Sequence, residues 1–144
     1  MLKGYRDLDL WKKAHIIVLE VYRLTNLFPR NEQFGVVSQL RRSAASIPAN
    51  IAEGYGRRST KELIQFLGIA NGSLEELRYF LLLSRDLRYL PNEAYEALER
   101  DLKSVAQMIE ALSKALRHRL TVASAAGRSG FPRATEHGPR ATEN

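Results

Sequence analysis

The sequence predicts an all-α protein, an up-and-down antiparallel four-helix bundle. Three observations carry that expectation. Apolar residues recur at steps of three and four in four long stretches, the spacing that gathers them on one face of a helix. The breaks between stretches, around Pro29 and Asn31, around Gly54 and Gly56, and at Pro91, are short, and short connections favour antiparallel neighbours. No stretch alternates as a half-buried strand would.

The first helix is expected over about residues 7–27. Trp11, Ala14, Val18 and Val21 form one stripe, flanked by Leu10, Ile17 and Leu24, and Asp7 and Asp9 suit the positive N-terminal end. The second is expected over about residues 32–53. Val37, Leu40, Ala44, Ile47, Ile51 and Tyr55 share one face. Pro48 lies inside this run and predicts a kink, because it donates no N–H and crowds the carbonyl of Ala44. Ala44, Ala45, Ser46, Ala49 and Ala52 are small enough for another helix to come close. Gly54 and Gly56 suit a helix end, where glycine tolerates positive φ.

The third helix is expected over about residues 60–89, opened by Ser59 and Glu62 as a capping box. Leu63, Leu67, Ala70, Leu74, Leu77, Leu81 and Ser84 form a heptad-like stripe. Phe66, Ile69, Phe80, Leu82 and Leu83 widen it so far that subunit contact is expected, since a helix apolar on most sides is buried on most sides. Gly68 and Gly72, four apart, mark a face for close packing, because glycine there costs about 1 kcal/mol relative to alanine. The fourth helix is expected over about residues 92–120, with Leu98, Leu102, Val105, Ile109, Leu112 and Leu116 inward. Glu93, Glu96, Glu99 and Asp101 open it and Lys114, Arg117, His118 and Arg119 close it, which complements the helix dipole. A bundle domain is therefore expected over residues 1–123. Residues 124–144, with PRATEHG followed by PRATEN, read as a disordered low-complexity tail.

The formal charge is +6, from 22 Lys and Arg against 16 Asp and Glu. Residues 1–58 hold ten bases and five acids, and residues 59–120 hold nine of each, so the excess is assigned to the first two helices. Such a field attracts phosphate-bearing partners without giving sequence specificity, although solubilising charge reads the same way. There are no cysteines, which excludes disulfides and thiolate metal sites. His15, His118 and His137 lie in three separate segments, so metal-ligand spacing is absent. No metalloprotease, Walker or G-x-S-x-G pattern occurs, and Gly54-Tyr55-Gly56 follows a helix where a dinucleotide loop needs a strand. No enzyme and no cofactor are expected. A signal peptide and a membrane-spanning run are also not expected, so the sequence points to a soluble cytoplasmic protein.

The candidate site is basic: Arg57 and Arg58 beside Ser59 and Thr60 at a helix N-terminus, with Arg41 and Arg42 as a second pair and Lys12 and Lys13 as a third. The same residues also read as a plain cap with solvated arginines. Glu75 and Glu76 are expected to pair with Arg78 or with the second-helix arginines, and Asn50 and Glu53 to serve backbone groups near Pro48. Trp11 fits the core stripe better than a base-stacking surface.

SIPANIAEG, preceded by QLRR and followed by YGRRS, resembles the bacterial four-helix-bundle family encoded in intervening sequences of 23S ribosomal RNA genes, related to the accessory variability proteins of diversity-generating retroelements. DLDLWKKA, KELIQFLGIANGSLEEL and RYLP extend the resemblance over about residues 5–120. It implies a ring-shaped homopentamer with a basic surface that binds RNA or DNA, and no catalytic residue. The alternative is a scaffold whose partner is a protein, such as a reverse transcriptase or a ribosomal component.

Overall fold

The computed structural model describes residues 4–129. A 3-10 turn, Tyr5–Asp7, leads into helix α1, Asp9–Thr25. A second 3-10 turn, Arg30–Glu32, precedes α2, Val36–Tyr55, and then follow α3, Thr60–Asp86, and α4, Asn92–Ser129. Each helix packs on the next in sequence, and α4 returns to pack on α1. The diagonal pairs, α1 with α3 and α2 with α4, do not pack. This is the up-and-down four-helix arrangement, all-α among the described residues.

The inward stripes are the expected ones. Ala14, Leu40, Ala44, Ile47, Ile51, Leu67, Ala70, Leu74, Leu77, Leu102 and Val105 are fully buried. Each large side chain among them contributes roughly 1.5–3 kcal/mol by leaving water. Buried hydroxyls are satisfied locally: Ser43 donates to the carbonyl of Gln39 and Ser84 to that of Phe80, each at 2.7 Å.

Helix ends differ from expectation for identifiable reasons. α1 stops at Thr25, whose hydroxyl bonds back to the carbonyls of Val21 and Tyr22, and Leu27 falls outside it. α2 begins four residues later than expected, after Gly35. α3 stops at Asp86 because Arg88 adopts φ +63°. The Tyr89 amide then donates to the carbonyl of Ser84 and the Arg88 amide to that of Arg85, the pattern of a Schellman closure with arginine in the glycine position, and the Leu90 amide also reaches Ser84. α4 runs to Ser129, past the expected end near Leu120, because Ala123, Ala125 and Ala126 favour helix. The PRATE repeat lies outside the described residues.

The α2–α3 seam is the most extensive in the bundle. α2 continues through the buried Pro48 without interruption. Asn50 donates its side-chain amide to the Ser46 carbonyl at 2.7 Å and to the Ser46 hydroxyl at 2.9 Å, and that hydroxyl meets Ser73 of α3 at 2.8 Å. Asn50 therefore has the structural role expected of it. Gly54 and Gly56 are used differently from the expectation. Gly56 has φ −78°, and neither has positive φ. A Cβ on Gly54 would lie 2.8 Å from Phe66 Cβ and 3.0 Å from Leu63 Cδ1, so this glycine provides room for α3. By contrast, Gly68 and Gly72 face open space, not a close neighbour within the protomer. Of the residues expected to widen the stripe, Phe80 and Leu83 pack on the core, Phe66 and Leu82 are partly buried, and Ile69 is 47% exposed, so part of the surplus apolar surface of α3 remains.

Candidate functional site

Antiparallel packing brings the start of α1, the end of α2, the start of α3 and the second half of α4 to one end of the bundle. The α1–α2 and α3–α4 connections form the other. Dividing the helices midway gives two unequal halves. Residues 4–16, 46–72 and 110–129 hold ten Lys and Arg against five Asp and Glu, whereas residues 17–45 and 73–109 hold nine of each. The charge excess therefore belongs to one end, and α4 supplies part of it. Assigning it to the first two helices missed this, because residues 92–110 of α4 are acidic and cancel its basic half in any count along the chain.

The two ends also differ in pairing. At the neutral end Arg78 donates to Glu99 at 3.2–3.3 Å and to Glu75 at 3.1 Å. The hydrogen bond to Glu99, more than that to Glu75, holds the Arg78 pKa above its ordinary value. Arg42 bonds Glu76 and Gln39, Arg23 bonds Glu20, and Arg85 bonds Asp86. Glu75 and Glu76 thus take the partners expected of them. At the positive end Arg57 pairs with Glu53 at 2.9 Å and lies over the Phe66 ring. The Ser59 hydroxyl accepts from the Glu62 amide at 3.2 Å, the Ser59 half of the expected capping box. Lys12, Arg58, Lys61, Lys114 and Arg119 make no ion pair among the described residues. Burial raises the pKa of the Tyr55 phenol, and the nearby Arg119 charge opposes that shift.

The six expected site residues do not form one patch. Arg57 and Arg58 share the positive end with Lys12. Lys13 turns into the α1–α4 groove, where it donates to Ser104 at 3.2 Å. Arg41 and Arg42 sit about 24 Å from Arg57 along α2, at 1.5 Å per residue. Arg41 is engaged in the fold: it donates to Thr25 and Asn26 at 3.0 Å each and covers the Tyr22 ring at 4.6 Å. Lys61 and Lys114 are additions that sequence reasoning did not place in the site: Lys61 follows Arg58 by three residues, and antiparallel packing puts Lys114 of α4 at the same end.

A second feature lies between α1 and α2. His15 stacks on Trp11 at 5.0 Å and 12°, and Tyr5 leans on Trp11 at 5.3 Å. These rings flank a shallow groove floored by Ala45, Ala49 and Ala52. Trp11 is partly buried against the core, as expected. The spacing of Trp11 and His15, four residues apart, was the available signal for the stack. No group of three or more metal-ligating side chains occurs among the described residues, and no helix there is long and apolar enough to cross a membrane.

The fold and the site can now be set beside known proteins. A crystal structure of a protein of unknown function from the S23 ribosomal protein family of Bacteroides thetaiotaomicron VPI-5482 is similar in fold. Its TM-score is 0.68 at 25% identity, over 73% of this chain and 95% of that one. No curated protein matches the chain. Residues 6–111 match the model of the 23S rRNA-intervening sequence protein family. That span takes in α1–α3, the SIPANIAEG segment of α2 and the acidic half of α4, and the chain belongs to the 23S rRNA-intervening sequence protein family.

Proposed function

We propose that this protein is a non-enzymatic, self-associating helical bundle of the cytoplasm that holds RNA or DNA through backbone phosphates, without reading base sequence. The observation that supports this reading is the concentration of unpaired Lys12, Arg58, Lys61, Lys114 and Arg119 at one end of a bundle whose other end has as many acids as bases and pairs Arg23, Arg42, Arg78 and Arg85 internally. Exposed cations on a rigid surface contact phosphates, and such contacts position without specifying. Glu53, Glu75, Glu76 and Glu99 are occupied by arginines, which favours a structural role for them over acid–base chemistry.

Self-association is favoured by Ile16 and Leu19, 61% and 56% exposed on the outer side of α1, and by Tyr79, 58% exposed on α3. A closed ring, five-membered as the family resemblance implies, would present the positive end once per subunit. Weak phosphate contacts would then add through multivalency. A protein partner, such as a reverse transcriptase or a ribosomal component, is favoured by a different observation. Leu27 and Phe34, 78% and 92% exposed, lie at the neutral end with Leu87.

Fluorescence anisotropy with single-stranded and duplex nucleic acid across a salt series tests the main reading. The expected result is low-salt binding that weakens by about 0.7–0.9 in log affinity per log salt for each phosphate contacted. Absence of binding at low salt, or no change when Lys12, Arg58, Lys61, Lys114 and Arg119 all become alanine, overturns it. Native mass measurement tests the ring, and a monomer at working concentration removes it.

A further inference from the structure

α4 has 38 residues and α3, the next longest, has 27, so α4 is longer by about 16 Å at 1.5 Å per residue. Leu116 is its last buried apolar residue, and every residue from Thr121 to Arg128 is exposed. The last two turns stand clear of the bundle. They also lie beyond the family match, which ends at residue 111.

The charge on this half calls for an explanation other than the helix dipole. Residues 111–129 contain Lys114, Arg117, Arg119 and Arg128 and no acid, whereas residues 92–110 contain five acids and two bases. A helix dipole acts on its last turn only. It accounts for Arg128, but Lys114, Arg117 and Arg119 lie ten or more residues before Ser129. Internal pairing is also scant. Arg117 reaches Glu110 at 3.8 Å with both side chains exposed, and Arg128 reaches the Ser124 hydroxyl at 3.5 Å.

We propose that the exposed end of α4, from Thr121 to Arg128, is a duplex-DNA arm that enters the major groove, so that Arg119 at its root and Arg128 near its tip contact phosphates on opposite walls. This rests on the nucleic-acid reading above and assigns it a form of nucleic acid. A single helix is about 10–12 Å across. It matches the B-form major groove, about 12 Å wide, and not the deep, narrow major groove of A-form RNA. Ala123, Ala125, Ala126 and Gly127 keep the arm slim. Arg119 and Arg128 are nine residues apart, two and a half turns, and so leave the helix on opposite sides. Arg117 adds a third guanidinium on the Arg128 side. The arm carries no carboxylate to be repelled by phosphate.

The test is anisotropy of a labelled DNA duplex and of an RNA duplex of the same sequence, using the full chain and its full-length Arg117→Ala/Arg128→Ala variant, which leaves Arg119 of the shared positive end in place. Circular dichroism first establishes equal helix content. The variant is expected to bind the DNA duplex roughly fivefold more weakly, with a salt slope lower by about two, while its affinity for the RNA duplex changes by less than about twofold. Equal losses on both duplexes, or no loss on either while the parent binds both, overturn the arm and leave the nucleic-acid reading standing. A parent chain that binds neither duplex nor single strands sinks both. Binding to poly-glutamate but to no nucleic acid, lost in the variant, reassigns the arm to an acidic protein surface and also overturns the proposal.

Discussion

The two ends of the bundle use the same residue types in opposite ways. At the neutral end arginines are structural: Arg41 ties α2 to the end of α1, Arg42 ties α2 to α3, and Arg78 ties α3 to α4. The Phe28 and Tyr89 rings meet at 5.7 Å, and the Tyr89 hydroxyl donates to Glu32, joining the two connections. At the positive end the helices are held by apolar contact around Gly54, and most cations have no acidic partner. Charge that is paired within the fold is unavailable to a ligand, and charge left unpaired on a rigid surface is available to one. The difference between the ends is therefore a difference between scaffold and contact surface, although each contains a similar number of bases.

The largest effect that would break this comparison is steric. If apolar packing holds the positive end, Gly54→Val should be costly, because even its Cβ would sit 2.8 Å from Phe66 Cβ. The expected loss is about 3 kcal/mol, at the upper end of the usual cost of overpacking, read as a lower midpoint in urea unfolding. A variant as stable as the parent would show that α2 and α3 can separate there without penalty. The counterpart at the neutral end is Arg78→Met. It should cost about 1 kcal/mol or less, since the ion pairs are partly exposed and solvent screens them. A cost above that of Gly54→Val would invert the assignment of the two ends.

Much of the fold was legible in the sequence, because the apolar period reports which side of a helix is buried. The stripes of α1–α4, the Ser59 cap and the partners of Glu75 and Glu76 follow from spacing alone. Helix ends were less legible, since they depend on single conformations, such as the Thr25 hydroxyl bond and the positive φ of Arg88. The glycines were misread in both directions: Gly54 provides room where backbone freedom was expected, and Gly68 and Gly72 face open space where close packing was expected. Sequence cannot tell whether a glycine serves backbone freedom, as expected of Gly54 and Gly56, or space, as found for Gly54. The site was half legible. Arg57 and Arg58 were found, and Lys61, three residues on, was within reach of the same reading, but Lys114 joins them only through antiparallel packing. Lys13, Arg41 and Arg42 looked equivalent to them until hydrogen bonds showed them engaged.

A smaller effect separates the functional and structural readings of the α3 start. Ser59 caps α3 through the Glu62 amide, so Ser59→Ala should cost about 1 kcal/mol. If the cap is all that Ser59 provides, phosphate binding by the folded protein should be unchanged. A loss of affinity at saturating fold would place a phosphate on the α3 N-terminus as well. Thermal unfolding and anisotropy on the same variant distinguish the two outcomes.

The smallest expected effect has the opposite sign and tests the neutral end. Arg88 occupies the left-handed region at φ +63°, where a Cβ is disfavoured by about 1–2 kcal/mol. The closure it makes, with Tyr89 and Leu90 donating to Ser84, needs that conformation but not the side chain, which is exposed and has no ion pair among the described residues. Glycine removes the strain and raises the entropy of the unfolded chain, so the two terms partly cancel. Arg88→Gly should therefore stabilise the protein by about 0.5–1 kcal/mol and leave low-salt nucleic-acid binding unchanged. Stabilisation with unchanged binding fits an end whose cations, paired or not, contact no phosphate. A drop in affinity would mean that Arg88 contacts phosphate, and the contrast between the two ends would have to be redrawn around unpaired cations wherever they lie.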